Sequence, residues 1–292
     1  MGTEIARSSA ARRASAPART GAGPGGEARL LAAARRGDSS ALSELLERAS
    51  GPAYRFSRGF CRDPHDAEDL VQEVLAVLMR SLARFRGESS LSTWTYVVAR
   101  RACVRLRRRR AREAPLDALA AADEPRAGAS SDPHRRLERR QLAAALERAV
   151  AALPMAQREV LVMRDVEGLS ASEVGRVLGL GERAVKSRLH RARLVLRRSL
   201  APFVTGADDL DPKPGCPDTA RLLSRHIEGE LSARLCQRLE SHVARCESCG
   251  GACDSLRAVL GECRAYGKRP LPAEVRRAVR AAIRGVLSAD GR

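Results

Sequence analysis

Residues 169–193, LSASEVGRVLGLGERAVKSRLHRAR, constrain the chain more tightly than any other stretch, because they read as two helices joined at a glycine. Ser170 or Ser172 offers an N-cap for the first, with Glu173 in its first turn and Val174, Val177 and Leu178 along one face. Gly179 supplies the left-handed conformation that such a junction requires. The second helix sets Val185, Leu189, Ala192 and Leu196 on its apolar side. At about 100° per residue, the opposite side carries Arg183, Ser187, His190 and Arg191, with Lys186 on its flank. A helix-turn-helix with this charge pattern predicts reading of double-stranded DNA by those five side chains. The pattern alone leaves open a solvated basic surface helix.

The rest of the chain favours nucleic acid. Lys and Arg total 53 against 35 Asp and Glu, a net charge of +18, and each cation placed near a phosphate gains counterion-release free energy. Among the 292 residues 44% are hydrophobic but only 3% aromatic, which predicts an all-α protein of two or three small modules with Leu, Val and Ala cores. No apolar run approaches the ~18 residues of a membrane span, and no signal-peptide segment follows Met1, so a cytoplasmic location without membrane contact is expected. Residues 1–26, rich in Ala, Arg, Ser and Gly, read as disordered, with an acid-poor composition that also fits an organellar transit peptide. Position 6 after Met1-Gly2 is not Ser or Thr, which argues against myristoylation.

Between this segment and the C-terminus the pattern divides into three modules. Residues 27–112 carry amphipathic helical patterns at 28–36, 40–49, 53–61, 66–85 and 92–112; residues 113–133 form a Pro-, Ala- and Asp-rich linker. Residues 134–200 hold a helix near 137–153, a break at Pro154, a helix over 155–167 and the helix-turn-helix. A second linker covers 201–215, and 216–292 form a Cys/His module ending in a helix from about 273 to 287, with Val275, Val279, Ile283 and Val286 on one stripe.

Three features of the first module combine with the helix-turn-helix into a recognisable order. DAEDLVQEV opens an acidic helix at Asp66, the FRG…STW pattern follows, and a helix bearing Trp94 and Tyr96 runs into an arginine tract. LPxxQREV, EGLSxxEV and VKSRLHRAR then succeed one another at matching spacing. Over about residues 27–200 the chain therefore resembles the extracytoplasmic-function sigma factors of bacterial RNA polymerase. The resemblance implies that Asp69, Gln72 and Glu73 dock to core RNA polymerase, a role carboxylates suit if the partner is basic. It implies that residues 87–110 melt the downstream (−10) promoter element and hold the single strand. Strand capture needs stacking surfaces together with phosphate neutralisation, which Trp94, Tyr96, Arg100, Arg101, Arg105 and the run 107–110 offer; Trp94 also fits a core position beside Val97 and Val98. Many family members carry Asn where this chain has Arg101. The resemblance further implies that Arg183, Lys186, Ser187, His190 and Arg191 read the upstream (−35) element of promoter DNA, the face reached above from helical geometry.

The tail adds different chemistry. Of eight cysteines, only Cys61 and Cys103 precede residue 200; the rest crowd the last third, which in a reducing compartment suggests a metal. Cys216, His242, Cys246 and Cys249 form C-x25-H-x3-C-x2-C, with His and Cys one helical turn apart leading into a Cys-x-x-Cys turn. Three thiolates and an imidazole suit tetrahedral zinc with no open position for a catalytic water. The module resembles a zinc-binding anti-sigma domain, including the segment EGEL at 228–231. Cys236 and Cys263 read as small buried hydrophobes, Cys253 as a spare ligand or redox partner, and His226 as a surface residue or a substitute ligand. No nucleophile, phosphate loop or carboxylate dyad assembles, so an enzyme is not expected. The expected function is promoter recognition, melting and initiation, with a metal- or redox-responsive tail able to contact the sigma-like modules in cis. A stand-alone helix-turn-helix regulator would need neither the docking helix nor the melting segment.

Overall fold

The structure, a computed structural model, describes residues 24–60, 64–81, 85, 89–113, 133–204 and 213–290, and among these there are helices and no strand. Four helices build the first module: α1 Pro24–Arg35, α2 Ser39–Phe60, α3 Pro64–Ser81 and α4 Leu91–Glu113. Residues 24–26, expected within the disordered N-terminal segment, already belong to α1, and residues 1–23 lie outside the described residues. The pattern predicted two helices where α2 is one, continuous through Pro52. A proline removes one backbone donor, but Ala49, Ala53 and Phe56 keep the same face at 0–1% exposure across it, and that burial outweighs the single lost bond. Leu70, Val74 and Leu78 of α3 and Tyr96, Ala99 and Cys103 of α4 complete this core.

The second module comprises α5 Pro133–Ala152, α6 Met155–Leu161, α7 Ala171–Leu178 and α8 Glu182–Val204. Residues 114–132, nearly all of the predicted first linker, lie outside the described residues. Ser170, rather than Ser172, caps α7: its hydroxyl accepts from the Glu173 N–H at 3.1 Å while the Glu173 carboxylate accepts from the Ser170 N–H at 2.8 Å. Gly179 ends α7 at φ 68°, and Val185, Leu189, Ala192 and Leu196 of α8 are each 0% exposed. The helix predicted over 155–167 does not stay α-helical. After Leu161 it widens into a π-helical turn, Val162–Val166, which aims the buried Asp165 at α8.

The tail contains α9 Thr219–Ile227, α10 Ala233–Val243, α11 Glu247–Gly267 and α12 Ala273–Asp290. The predicted second linker begins later than expected, because α8 extends to Val204; residues 205–212 lie outside the described residues. The long α11 packs on α8, α9, α5 and the π-helical turn, and its Val259 and Cys263, both 0% exposed, join the main core. Helix α12 crosses to α2 and α3, where Val275, Val279 and Ile283 are buried; the Val286 side chain lies outside the described residues.

Candidate nucleic-acid interface and metal centre

The expected DNA-reading face of α8 is divided between solvent and the tail. Arg183, Ser187 and Arg191 are exposed, and Arg191 reaches only back to Ser187, donating to its carbonyl at 3.3 Å. Lys186 and His190 lie under α9 and the turn that follows it. The Lys186 ammonium donates to the Glu228 carbonyl at 3.1 Å, and the His190 ring meets Ser224 Oγ at 2.8 Å through Nδ1 and Glu230 Oε2 at 2.7 Å through Nε2.

One turn further along the same face stands Arg193, 1% exposed, which the sequence reading did not single out. Its guanidinium donates to both Asp165 oxygens at 2.8 and 2.6 Å, to Glu228 Oε1 at 2.8 Å and to the Ser224 carbonyl at 3.3 Å. Arg164 holds the other Glu228 oxygen at 3.2 Å. Burial opposes the Arg193 charge, yet Asp165 and Glu228 outweigh it and hold the guanidinium above its ordinary value. The available signal was the i, i+4, i+7 spacing of 186, 190 and 193, opposite two acids in EGEL.

On the first module, Trp94 is half-buried and stacks on Phe85 with centroids 4.6 Å apart, and the exposed Arg101 and Arg105 lie further along α4. Tyr96 is not an available stacking surface in this structure. It is 0% exposed and meets Phe56 edge-on at 5.4 Å, and burial pushes its hydroxyl well above the ordinary range. Arg100 Nε donates to Glu159 at 3.2 Å, and Arg105 pairs with Glu73 at 2.6 Å. The side chains of Asp66, Glu68, Arg107 and Arg110, and all of Cys61, lie outside the described residues. Asp69, Gln72 and Glu73 share one exposed face of α3 and border an open groove closed on its far side by Ala282, Ile283 and Gly285 of α12.

The four predicted metal ligands converge. The donor atoms of Cys216, His242, Cys246 and Cys249 all lie within 4.8 Å of one another, from the segment before α9, the end of α10 and the start of α11. Cys216 Sγ and Cys246 Sγ are 3.8 Å apart, which matches the edge of about 3.8 Å that tetrahedral bonds of ~2.3 Å to sulfur imply. His242 Nε2 stands 3.1 Å from Cys249 Sγ, so the donor set and its spacing fit a closed four-ligand metal site. Burial, followed by the neighbouring Cys246 and Cys216 thiols, pushes the Cys249 thiol up to about 12 without metal. Cys253 is buried with its sulfur 3.8 Å from the Thr219 carbonyl, outside the cluster, and Cys263 is buried as expected. Cys236 is half-buried and lies 3.1 Å from His226 Nδ1.

Two helical modules, the second a helix-turn-helix, followed by a Cys/His module, define the class of helical transcription initiation proteins. Sigma-70 region 2 matches residues 45–113, Sigma-70, region 4 matches 143–196, and a zinc-finger family matches 216–250. The chain belongs to the extracytoplasmic-function (ECF) RNA polymerase sigma factors. It is 35% identical over 185 residues to ECF RNA polymerase sigma factor SigM of Mycobacterium tuberculosis, an alignment covering 62% of this chain and 88% of the relative. With ECF RNA polymerase sigma factor SigE of Mycolicibacterium smegmatis it shares 31% identity over 168 residues, covering 56% of this chain and 65% of that one. Among solved structures it is similar to the sigma factor RpoE from Bartonella quintana, in complex with the anti-sigma factor NepR, at 25% identity and TM-score 0.44, covering 52% of this chain and 92% of that one. No described helix is long and apolar enough to cross a membrane.

Proposed function

We propose that the chain gives core RNA polymerase promoter specificity in the cytoplasm, and that its zinc-organised tail holds the DNA-reading helix covered until its metal or thiol state changes. The observation that carries this reading is the engagement of Lys186, His190 and Arg193 by Ser224, Glu228 and Glu230. Carboxylates there stand where DNA phosphates or base acceptors would, and the short tether sets a high effective concentration for them. In the uncovered state Arg183, Lys186, Ser187, His190 and Arg191 read the upstream element, while Trp94, Arg101 and Arg105 hold the melted strand. Asp69, Gln72 and Glu73 dock to polymerase, and the factor itself performs no catalysis.

Zinc on Cys216, His242, Cys246 and Cys249 would supply a structural cross-link among α9, α10 and α11. Cys216 lies just before α9 and the turn bearing Glu228 and Glu230 lies just after it, so the state of the ligands reaches the covering contacts through one short helix. The test is in-vitro transcription with core polymerase, comparing the full chain, the chain after zinc removal and a chain ending near residue 205. Promoter-specific transcripts that rise on truncation or metal loss are the expected result. Tight duplex binding without any association with core polymerase would instead mark a stand-alone DNA-binding regulator.

A further inference from the structure

The contacts between the two sigma modules do not involve the tail. Glu159 of α6 accepts from Arg100 of α4 at 3.2 Å, with the carboxylate 8% exposed. Glu173 of α7 accepts from the Thr93 hydroxyl at 3.4 Å. Between them Glu167, after the π-helical turn, takes both donors of Arg55, and these side chains are only 7% and 14% exposed. Burial opposes the charge of Glu173, but the Ser170 N–H and hydroxyl and the Thr93 hydroxyl outweigh it and hold the carboxyl below its ordinary value. The Arg55–Glu167 pair also lies against the hydroxyl end of Tyr96. Three acids of the second module thus converge on Thr93, Tyr96 and Arg100, which lie within two turns of one another on α4.

We infer that the second module is itself an acidic cover for the strand-capturing helix of the first, a lock distinct from the tail. The inference rests on the sigma reading above, which assigns α4 to the melted strand. A single strand on α4 needs a cation free to meet phosphate and aromatic surface free to stack. In the closed chain Arg100 already has a carboxylate, and the Tyr96 edge lies beneath an ion pair. The two covers differ in chemistry. The tail joins the second module through Val259, Cys263 and other apolar side chains as well as Glu228, whereas Arg55, Thr93 and Arg100 meet their acids through polar contacts. An interface of ion pairs and hydroxyl contacts is the kind that separates when a partner holds its two sides apart. Loss of metal releases the first cover; a partner that engages both modules at once releases the second.

The test uses the full chain and fluorescence anisotropy with two probes, a short fluorescein-labelled single strand of mixed sequence and a duplex of mixed sequence. Glu159→Gln frees Arg100 without reversing a charge, and Glu167→Arg breaks the buried pair. Each is expected to raise single-strand affinity about tenfold, within the usual range for coupling between two sites, and to leave duplex affinity unchanged. Combining Arg55→Glu with Glu167→Arg restores an opposite-charge pair and should return single-strand affinity toward wild type. If Glu167→Arg lowers the melting temperature too far to assay, Glu159→Gln carries the test alone. Unchanged single-strand affinity in a folded Glu159→Gln chain overturns the lock, as does an equal rise with duplex, which would mean that the tail had opened instead. With core polymerase present, single-strand capture by wild type while the variants have no effect removes this lock only. Absence of capture even with polymerase removes the sigma reading beneath it.

Discussion

Arg193 and Glu228 meet at 2.8 Å with both side chains 1% exposed, and this pair joins the predicted DNA-reading helix to the turn that covers it. Arg193 keeps a second carboxylate, Asp165, from its own module, so tail departure leaves no isolated buried cation. Glu228 has no such reserve: Arg193 and Arg164, the two guanidiniums that hold it, both belong to the other module. The cost of opening therefore falls mainly on the tail, and solvation of the released Glu228 offsets it.

Glu228→Gln should accordingly loosen the tail without unfolding α8. The loss is expected below the 3–5 kcal/mol typical of stranding a buried charge, because Asp165 still satisfies Arg193, and nearer the ~1.5–3 kcal/mol of hydrogen bonds to a charged group. Hydrogen exchange in α9 and duplex DNA affinity read this directly. Faster exchange in α9 with tighter duplex binding is expected, and unchanged exchange would show that Glu228 does not hold the cover.

Gly267 gives a second handle on the same joint. A Cβ there would collide with the Val166 carbonyl at the π-helical turn, whereas one at Gly261 meets nothing within 4 Å. Gly267→Ala should destabilise the joint by about 1–3 kcal/mol through overpacking, while Gly261→Ala should be neutral or gain up to ~1 kcal/mol from helix propensity. Calorimetric melting of both variants checks the contrast; equal melting temperatures would mean that α11 can shift away at no cost.

The parts legible in the sequence are those whose physics is local. Ser170, Glu173 and Gly179 sit within ten residues, and the apolar set of α8 follows one periodicity, so the helix-turn-helix could be drawn before any coordinates. The metal ligands were likewise legible because their spacing carries the chemistry. The π-helical turn was not, since Val162, Met163, Asp165 and Val166 are all buried and a helix covered on several sides loses the stripe that reveals its pitch. Pro52 misled for the converse reason: proline is a local signal, and the packing that keeps α2 continuous comes from distant helices. Tyr96 read as a surface aromatic because Glu167, whose pair with Arg55 covers it, lies far along the chain; Arg55 and Glu167 themselves are 112 residues apart.

Lys186 and Arg191 should separate two effects of losing positive charge on α8. Arg191 is exposed and bonded only within its own helix, so Arg191→Ala should weaken upstream-element recognition by about 1–3 kcal/mol if it contacts bases. Lys186→Ala removes both a DNA contact and the bond to the Glu228 carbonyl, so in the full chain the loss of binding should be partly offset by easier opening. Electrophoretic mobility shift with specific and mixed-sequence duplexes, repeated over a salt series, distinguishes the cases. Uniform weakening across sequences with a shallower salt slope would assign either residue to phosphate rather than base.

Metal loading should reverse the response of the tail to pH. In the metal-free fold Cys249 is raised from an ordinary 9.0 to about 12, so the protonated thiol favours the folded state. That contribution is complete below pH 9.0 and is lost as pH climbs toward about 12, so the metal-free tail should weaken over that alkaline window. Zinc requires the thiolates of Cys216, Cys246 and Cys249, so loading expels protons and becomes less favourable as pH falls. Titrating zinc into the apo chain in buffers of different ionisation enthalpy measures the protons released, and circular dichroism of α9–α12 follows the fold. Cys246→Ser with Cys249→Ser should abolish the zinc stoichiometry and the proton release together. Zinc binding that releases no protons would exclude thiolate ligation, and an unchanged transcription level in the metal-free double variant would make the metal a structural fixture rather than the switch.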